Sequence, residues 1–299
     1  MTTPDVSVVV PAHAITPGLR ACLAALADQE YPPDRFEVIV AHNGARAPAE
    51  NPFPDQDPLR ARLVHEPRPG SFAARNRGLA VARGKILAFT DSDCVPDRDW
   101  VAKGMAALSR GDADIVAGDV RVTFARGEPR DPVSLFERCF AFRQDNYVRW
   151  GFAATANLVT LRRVFEAAGP FEDRLLSAGD VEWCLRARRL GFRLRHAPEV
   201  AVAHPARTTY RALIAKARRL EGGIYSLERL HPSLVLPRQV RPKPVELVYP
   251  GRVVRRIRED KRVRSARERI ALLLVVQLVR AARVFERQRL RLGGSPLRY

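Results

Sequence analysis

The 299 residues are long enough for one large domain or a domain with an appendage, and 46% apolar with 28% charged residues is a globular composition that excludes a disordered chain. Cys22, Cys94, Cys139 and Cys184 form no CxxC pair, which argues against a zinc ribbon or a disulfide framework and fits a reducing compartment. The net charge of +18 is unevenly placed: residues 1–204 hold 27 Lys/Arg and 26 Asp/Glu, whereas residues 205–299 hold 24 and 7, a basic region suited to an anionic partner.

The chain opens with Thr, Pro and Asp and lacks the basic-then-apolar order of a signal peptide, so none is expected. Residues 6–11 are β-branched and nearly continuous, as a buried parallel strand should be, and end on Pro11. Residues 17–29 have helical spacing, with Pro17 suited to a first turn. A second strand over 36–40 runs into the turn pair Asn43-Gly44, and 45–58, rich in Pro, Ala and Asp, reads as a loop. A short strand over 63–66, a helix from about Ala73 to Ala82 and an apolar strand over 86–90 follow. This β-α-β-α-β order predicts a parallel sheet with helices on both faces, whose ligands bind at the carboxyl ends of strands.

Asp91-Ser92-Asp93 stands at such an end. Two carboxylates at i and i+2 point the same way if the extension continues, and their repulsion is relieved by a divalent cation. Hard oxygen ligands suit Mg²⁺ or Mn²⁺; the alternative is a solvated loop. Beyond it, 97–110 reads as a helix, 113–120 as a strand and 133–149 as a further helix. Residues 150–157, small and ending on Asn157, let backbone approach a ligand, or else form a tight turn between packed elements. A helix over 161–168 stops at Gly169-Pro170, and Asp180 begins another that Gly191 closes. Asp180 in isolation reads as an ordinary N-cap, and His204, after short strands over 192–196 and 200–204, as a structural histidine.

Taken in order, five segments resemble the family 2 glycosyltransferases of the GT-A fold over residues 5–225. These are the strand ending at Pro11, the second strand with its turn at Asn43-Gly44, Ala74-Arg75-Asn76-Arg77-Gly78, Asp91-Ser92-Asp93, and Gly169-Pro170-Phe171-Glu172 followed by Gly179-Asp180-Val181-Glu182-Trp183. The resemblance implies an α/β, Rossmann-like, mostly parallel sheet and inverting transfer of a sugar from a nucleotide-sugar to a glycan or lipid-linked hydroxyl. It implies Asp180 as general base and a metal held by Asp91, Asp93 and His204, with Asp93 the direct ligand and Asp91 the helper. Donor contacts are expected from Pro11, His42, Asn43, Arg75, Asn76, Asp91, Ser92 and Asp93, with Asn157 added from the small-residue stretch. Two departures stand out. His42 occupies the position of the family's base-binding aspartate, which leaves the nucleobase open; a neutral imidazole can still donate to a base carbonyl. Gly179 stands where many relatives have an acidic residue.

No GxGxxG, no GxxxxGK[ST] and no GxSxG is present, so neither a dinucleotide fold, a P-loop ATPase nor a serine hydrolase is supported. A nucleotidyltransferase would usually carry a glycine-rich N-terminal phosphate loop, which Pro11-Ala12-His13-Ala14 lacks. A degenerate binding module is motivated only by His42, against intact Asp91, Asp93 and Asp180.

The expected organisation is a catalytic domain over 1–205, a helical connector over 206–230, and a proline-rich linker with a basic amphipathic helical tail over 231–299. Residues 252–292 read as one long helix or two, the apolar run 270–279 being about half of what spans a bilayer. Such a tail suits an anionic membrane surface, placing the protein in the cytoplasm at the inner face of a membrane. The alternative is packing on the catalytic domain or a second copy. Nucleic acid is not an expected partner, because aromatics are scarce among the basic residues.

Overall fold

The computed structural model describes residues 3–48, 59, 61–125, 127, 131–242 and 244–297. Of the loop expected over 45–58, residues 49–58 lie outside the described residues. The chain forms two compact units, one from residues 1–121 and 142–204, the other from 122–141 and 205–299. One division falls at 204/205, and residues 122–141 group with the C-terminal region, with no division at 230.

The first unit begins with β1 (Val6–Ala12), α1 (Pro17–Ala27), β2 (Phe36–His42), β3 (Arg62–His65), α2 (Ser71–Val81), β4 (Ile86–Thr90), β5 (Val95–Pro96), α3 (Trp100–Ser109) and β6 (Ile115–Thr123). All seven residues of β1 are buried, as its apolar run requires, and β2 and β4 flank it in parallel register. α1 starts where Thr16 accepts from Leu19 N at 3.2 Å and Pro17 takes the first turn, where no N–H is needed. The eight strands lie in the order β3-β2-β1-β4-β7-β6-β8-β5, after α4 (Pro132–Phe140), α5 (Gln144–Arg149), β7 (Asn157–Leu161), α6 (Arg162–Ala168), α7 (Gly179–Arg189) and β8 (Leu194–Pro205). The strands β3, β2, β1 and β4 are parallel, as expected; β7 is antiparallel to both β4 and β6, and β5 to β8.

Three expectations are corrected. β7 inserts beside β4 and converts part of the 150–157 turn and its sequel into strand, with Thr90 paired to Asn157. The helix over 133–149 is two helices, broken where Phe142 turns to a φ of 44°, a left-handed conformation costly for a bulky side chain. The short strands over 192–196 and 200–204 are one strand, β8.

The second unit adds α8 (Tyr210–Leu230), α9 (Val245–Val248), α10 (Gly251–Glu259) and α11 (Ala266–Arg291) to α4. Residues 252–292 are thus two helices. Ser265 ends the break with a capping box, its side chain on Glu268 N and the Glu268 carboxylate on the Ser265 N–H. The core of this unit joins Leu135 and Cys139 of α4 to Val253 and Ile257 of α10 and Leu272 and Val276 of α11. α11 meets α8 through charge. Glu221, fully buried, accepts from Arg283 Nη2 at 2.8 Å and Arg287 Nε at 2.5 Å, and buried Glu286 accepts from Arg218 and Arg289. No helix among the described residues is long and apolar enough to cross a membrane.

Candidate active site

The site is built at the carboxyl end of β4. After Thr90 the chain turns, Cys94 N donating to Asp91 O at 3.0 Å, so that Asp91, Ser92 and Asp93 form the turn itself. The start of α1 lies against it: a methyl group at Gly18 would sit 3.5 Å from both Ser92 O and Asp93 Cα.

Arg75 reaches the turn from the buried face of α2 and pairs with Asp91 Oδ1. Its guanidinium lies 5.4 Å from the Phe72 ring centroid, and its buried Nε has no hydrogen-bond partner among the described residues. A buried, unanswered guanidinium donor is costly unless something else accepts from it. The same cation acts on Asp180. Burial pushes the Asp180 carboxyl above its ordinary range, opposed by the Arg75 charge and by hydrogen bonds from the N–H groups of Val181 and Thr155, while Asp91 pushes it further up. Arg75 is therefore the electrostatic link between two carboxylates that lie far apart in sequence.

Asp180 is not the N-cap. Ala178, at φ 65°, is the cap, and Asp180 lies in the first turn of α7, its Oδ1 accepting from Val181 N at 2.9 Å. The approach to this turn is fixed by aromatic packing. Gly179 lies flat on Phe72, where an added methyl would stand 2.7 Å from the ring. Trp183 stacks on Phe165 with centroids 4.3 Å apart, and its Nε1 donates to Gly169 O at 3.0 Å. Arg186, paired with buried Glu182, also donates to Pro170 O at 2.7 Å, so α7 grips the loop before it.

Asp93 and His204 come together from β4 and β8, with His204 Nε2 3.4 Å from Asp93 Oδ2. His204 is buried and packs on the Phe142 ring, 4.4 Å between centroids, whereas the Asp93 side chain is 51% exposed. The left-handed Phe142 thus delivers its ring to the histidine that faces Asp93. The expected three-residue metal set is not assembled: Asp91 is engaged by Arg75, and no group of three such side chains among the described residues is arranged to hold a metal. Asp93 and His204 fit a divalent cation as a pair, one hard oxygen and one imidazole nitrogen, with room for oxygens of a ligand.

At the ends of β2 and β3, His42 and His65 stand in register, their Nδ1 atoms 3.3 Å apart and their rings stacked at 5.5 Å. Burial, and then the His65 and His13 charges, hold the His42 imidazole below the ordinary histidine range, so it is neutral at pH 7. Gly44 makes room for this ring, since a methyl there would lie 2.6 Å from His42 Cε1. The His65 partnership escaped sequence reasoning. Its signal was that two neighbouring parallel strands both end on histidine. Arg75's reach to Asp180 had no signal in spacing, because it depends on how α2 and α7 pack.

Three expected contact residues are committed elsewhere. Asn43 donates to Glu66 O and Arg68 O and accepts from Gly70 N, tying the loop before α2 to β2. Asn76 exchanges two hydrogen bonds with the Phe171 backbone, at 2.8 and 3.0 Å. Asn157, fully buried, donates to Asp119 O and Val200 O and accepts from Trp100 Nε1. Pro11 is buried in β1 opposite Ala41. These side chains hold backbone together, whereas His42, Asp91, Ser92, Asp93, Asp180 and His204 lie at or just beyond strand and helix ends, and Arg75 reaches in from within α2.

The chain matches the profile described as Glycosyl transferase family 2 over residues 7–167. Glycosyltransferase AglE of Haloferax volcanii is 33% identical over 239 residues, 77% of either chain. A pre-mycofactocin glycosyltransferase of Mycobacterium tuberculosis is 28% identical over 242 residues, 78% of this chain but 49% of that relative. Among solved structures, the mannosyltransferase PcManGT of Pyrobaculum calidifontis, in complex with GDP-Man and Mn²⁺, superposes with a TM-score of 0.62 at 20% identity. The match covers 94% of this chain and 86% of that one. S. aureus TarS 1-349 in complex with UDP-GlcNAc gives 0.51 at 17%, covering 97% and 92%. At such identities the likeness is one of fold.

Proposed function

The chain belongs to glycosyl transferase family 2, and on that premise we propose that it moves a sugar, with inversion, from a nucleotide-sugar to a hydroxyl of a glycan or lipid-linked acceptor. It is a glycosyltransferase with a GT-A fold. One observation carries the finer reading: buried Arg75, with an unanswered Nε, acts on both Asp91 and Asp180.

Asp180 is the general base. Its carboxylate takes the proton of the acceptor hydroxyl as that oxygen attacks the anomeric carbon, and burial raises its affinity for the proton. Two backbone N–H groups and the rigid start of α7 keep it aimed. Arg75 neutralises Asp91 beside the donor, and its free Nε offers a hydrogen bond to a donor oxygen. Asp93 and His204 would hold Mg²⁺ or Mn²⁺, with Asp91 as a helper. Such a cation supplies positive charge against the diphosphate as it departs. Neutral His42, backed by His65, reads the nucleobase from the end of β2; Ser92 and the Pro11 backbone line the same edge. The protein works on the cytoplasmic side, at the inner face of a membrane, a placement supported by the charge of residues 205–299.

The test uses thermal shift with GDP-mannose and UDP-N-acetylglucosamine, with and without Mn²⁺, followed by transfer assays with the donor that stabilises. Asp180→Asn keeps the donor-induced shift and loses at least about 100-fold in transfer. Asp93→Ala loses the Mn²⁺-dependent part of the shift. Full transfer by Asp180→Asn removes Asp180 as the base, and an Mn²⁺ response intact in Asp93→Ala removes the cation from that site.

A further inference from the structure

In the second unit, α11 is turned inside out. Its mid-helix arginines point inwards: Arg283 and Arg287 to buried Glu221, and Arg280 to Glu246 of α9 at 2.6 Å. The outward stripe is apolar. Ile270, Leu274, Leu278 and Phe285 follow each other at helical spacing on one face; Ile270, Leu274 and Phe285 are each more than 60% exposed. Ala281, also exposed, falls on the same stripe, so the outward face holds no charge from 270 to 285, roughly 20 Å of helix. The face widens beside it. Gln277 Nε2 donates to Leu247 O at 2.9 Å, fixing α9 alongside with Val245, Val248 and Tyr249 exposed. Single exposed apolar residues need no explanation, but a contiguous patch of this size does.

The surroundings say what covers it. Arg267 continues the stripe at its N-terminal end, and Arg291 lies to one side of it at the C-terminal end, beside exposed Leu292; both arginines are exposed. On the adjoining segment Arg255, Arg258 and Lys261 are exposed too, and among the described residues none of these five forms an ion pair. An apolar strip bracketed by unpaired cations matches the layering of an anionic bilayer surface, with acyl chains below and phosphates at the rim. A protein partner of ordinary surface would not call for cations at both ends and none between.

We propose that this face of α9 and α11 lies in the plane of an anionic phospholipid membrane. Ile270, Leu274, Leu278 and Phe285 enter the headgroup–acyl boundary, while Arg267, Arg291, Arg255, Arg258 and Lys261 meet lipid phosphates. The inference deepens the membrane placement proposed above and is independent of the chemistry assigned to Asp180.

The test is co-flotation of the full chain with phosphatidylcholine vesicles, with and without phosphatidylglycerol. Wild type is expected on the anionic vesicles only, less so as salt rises. Leu274→Glu and Phe285→Glu each reduce binding at least tenfold, and Arg267→Glu with Arg291→Glu does the same. All keep the wild-type melting temperature and donor-induced shift, because every altered side chain is exposed. Phe285→Trp offers a second readout, its emission moving to the blue on anionic vesicles. No flotation, or flotation unchanged in Leu274→Glu with no blue shift in Phe285→Trp, overturns the proposal. So does a concentration-dependent dimer by light scattering that Leu274→Glu abolishes while the wild type ignores vesicles, since the face would then be taken by a second copy. Failure here with an intact donor response leaves the catalytic reading standing. Loss of donor response with intact flotation does the reverse.

Discussion

Arg75 and Asp180 show how a single buried cation sets the working range of a site. In the proposed mechanism Asp180 is a base only when ionised, and burial raises its carboxyl above the ordinary range. Transfer should therefore fall on the acid side at a higher pH than an ordinary carboxylate would give. Arg75 pulls in the opposite direction, so Arg75→Met should move the acid limb of the kcat profile to higher pH, beyond any loss in donor affinity. An unmoved limb would mean that the two groups are not coupled. The sign for stability is opposite. A carboxyl whose folded pKa exceeds its unfolded one favours the fold below the unfolded value, and that contribution is lost as pH rises through the folded one. The ionised form, which the proposed mechanism uses, is thus the less stable form. At this scale Asp91, Asp93 and Asp180 stood out by type and order, and each lies at or just past an element's end. The backbone partners of the three asparagines were not readable, for a physical reason. An amide that satisfies backbone groups carries the same letter as one that meets a ligand, and only the partners of Asn43, Asn76 and Asn157 tell them apart.

Among the elements, α7 depends on a missing side chain. Gly179 has ordinary backbone angles for a helix start, so its requirement is for space, with Phe72 directly beneath it. Gly179→Ala should lift the first turn of α7 or displace the ring, costing about 1–3 kcal/mol by overpacking. Transfer should fall further than donor affinity, because the lifted turn carries Asp180; calorimetry with transfer and binding assays would show the split. Equal losses in both would say that the turn does not move. The apolar strands β1, β2 and β4 were readable because each is a continuous buried run. β7 was not, because Asn157–Leu161 is short, follows a small-residue stretch and passes straight into α6. The break between α4 and α5 was equally hidden. The residues of 133–149 keep helical character throughout, and only the tertiary packing of Phe142 on His204 turns the backbone left-handed.

For the whole molecule, charge counting described the C-terminal region correctly in sum and incompletely in place. Much of its excess of arginine is spent on carboxylates inside the second unit. Glu221→Ala should therefore be severe, leaving partly buried Arg283 without a carboxylate and Arg287 with Glu228 alone, at a cost of up to about 3–5 kcal/mol. The expected result is a large fall in melting temperature, with Glu221→Gln intermediate. A melting temperature unchanged in Glu221→Ala would show that solvent reaches those arginines readily.

The exchange of segments has a further consequence, in the order of synthesis. Residues 122–141 are made before β7 and β8, yet the helices that cover Leu135 and Cys139 of α4 come from residues 251–276. At ordinary elongation rates the ribosome needs on the order of ten seconds to deliver them. Throughout that interval the apolar side of α4 emerges uncovered. The nascent chain therefore carries an uncovered apolar segment between the two stretches of its first unit, and the second unit cannot be finished by a ribosome that stalls before α11.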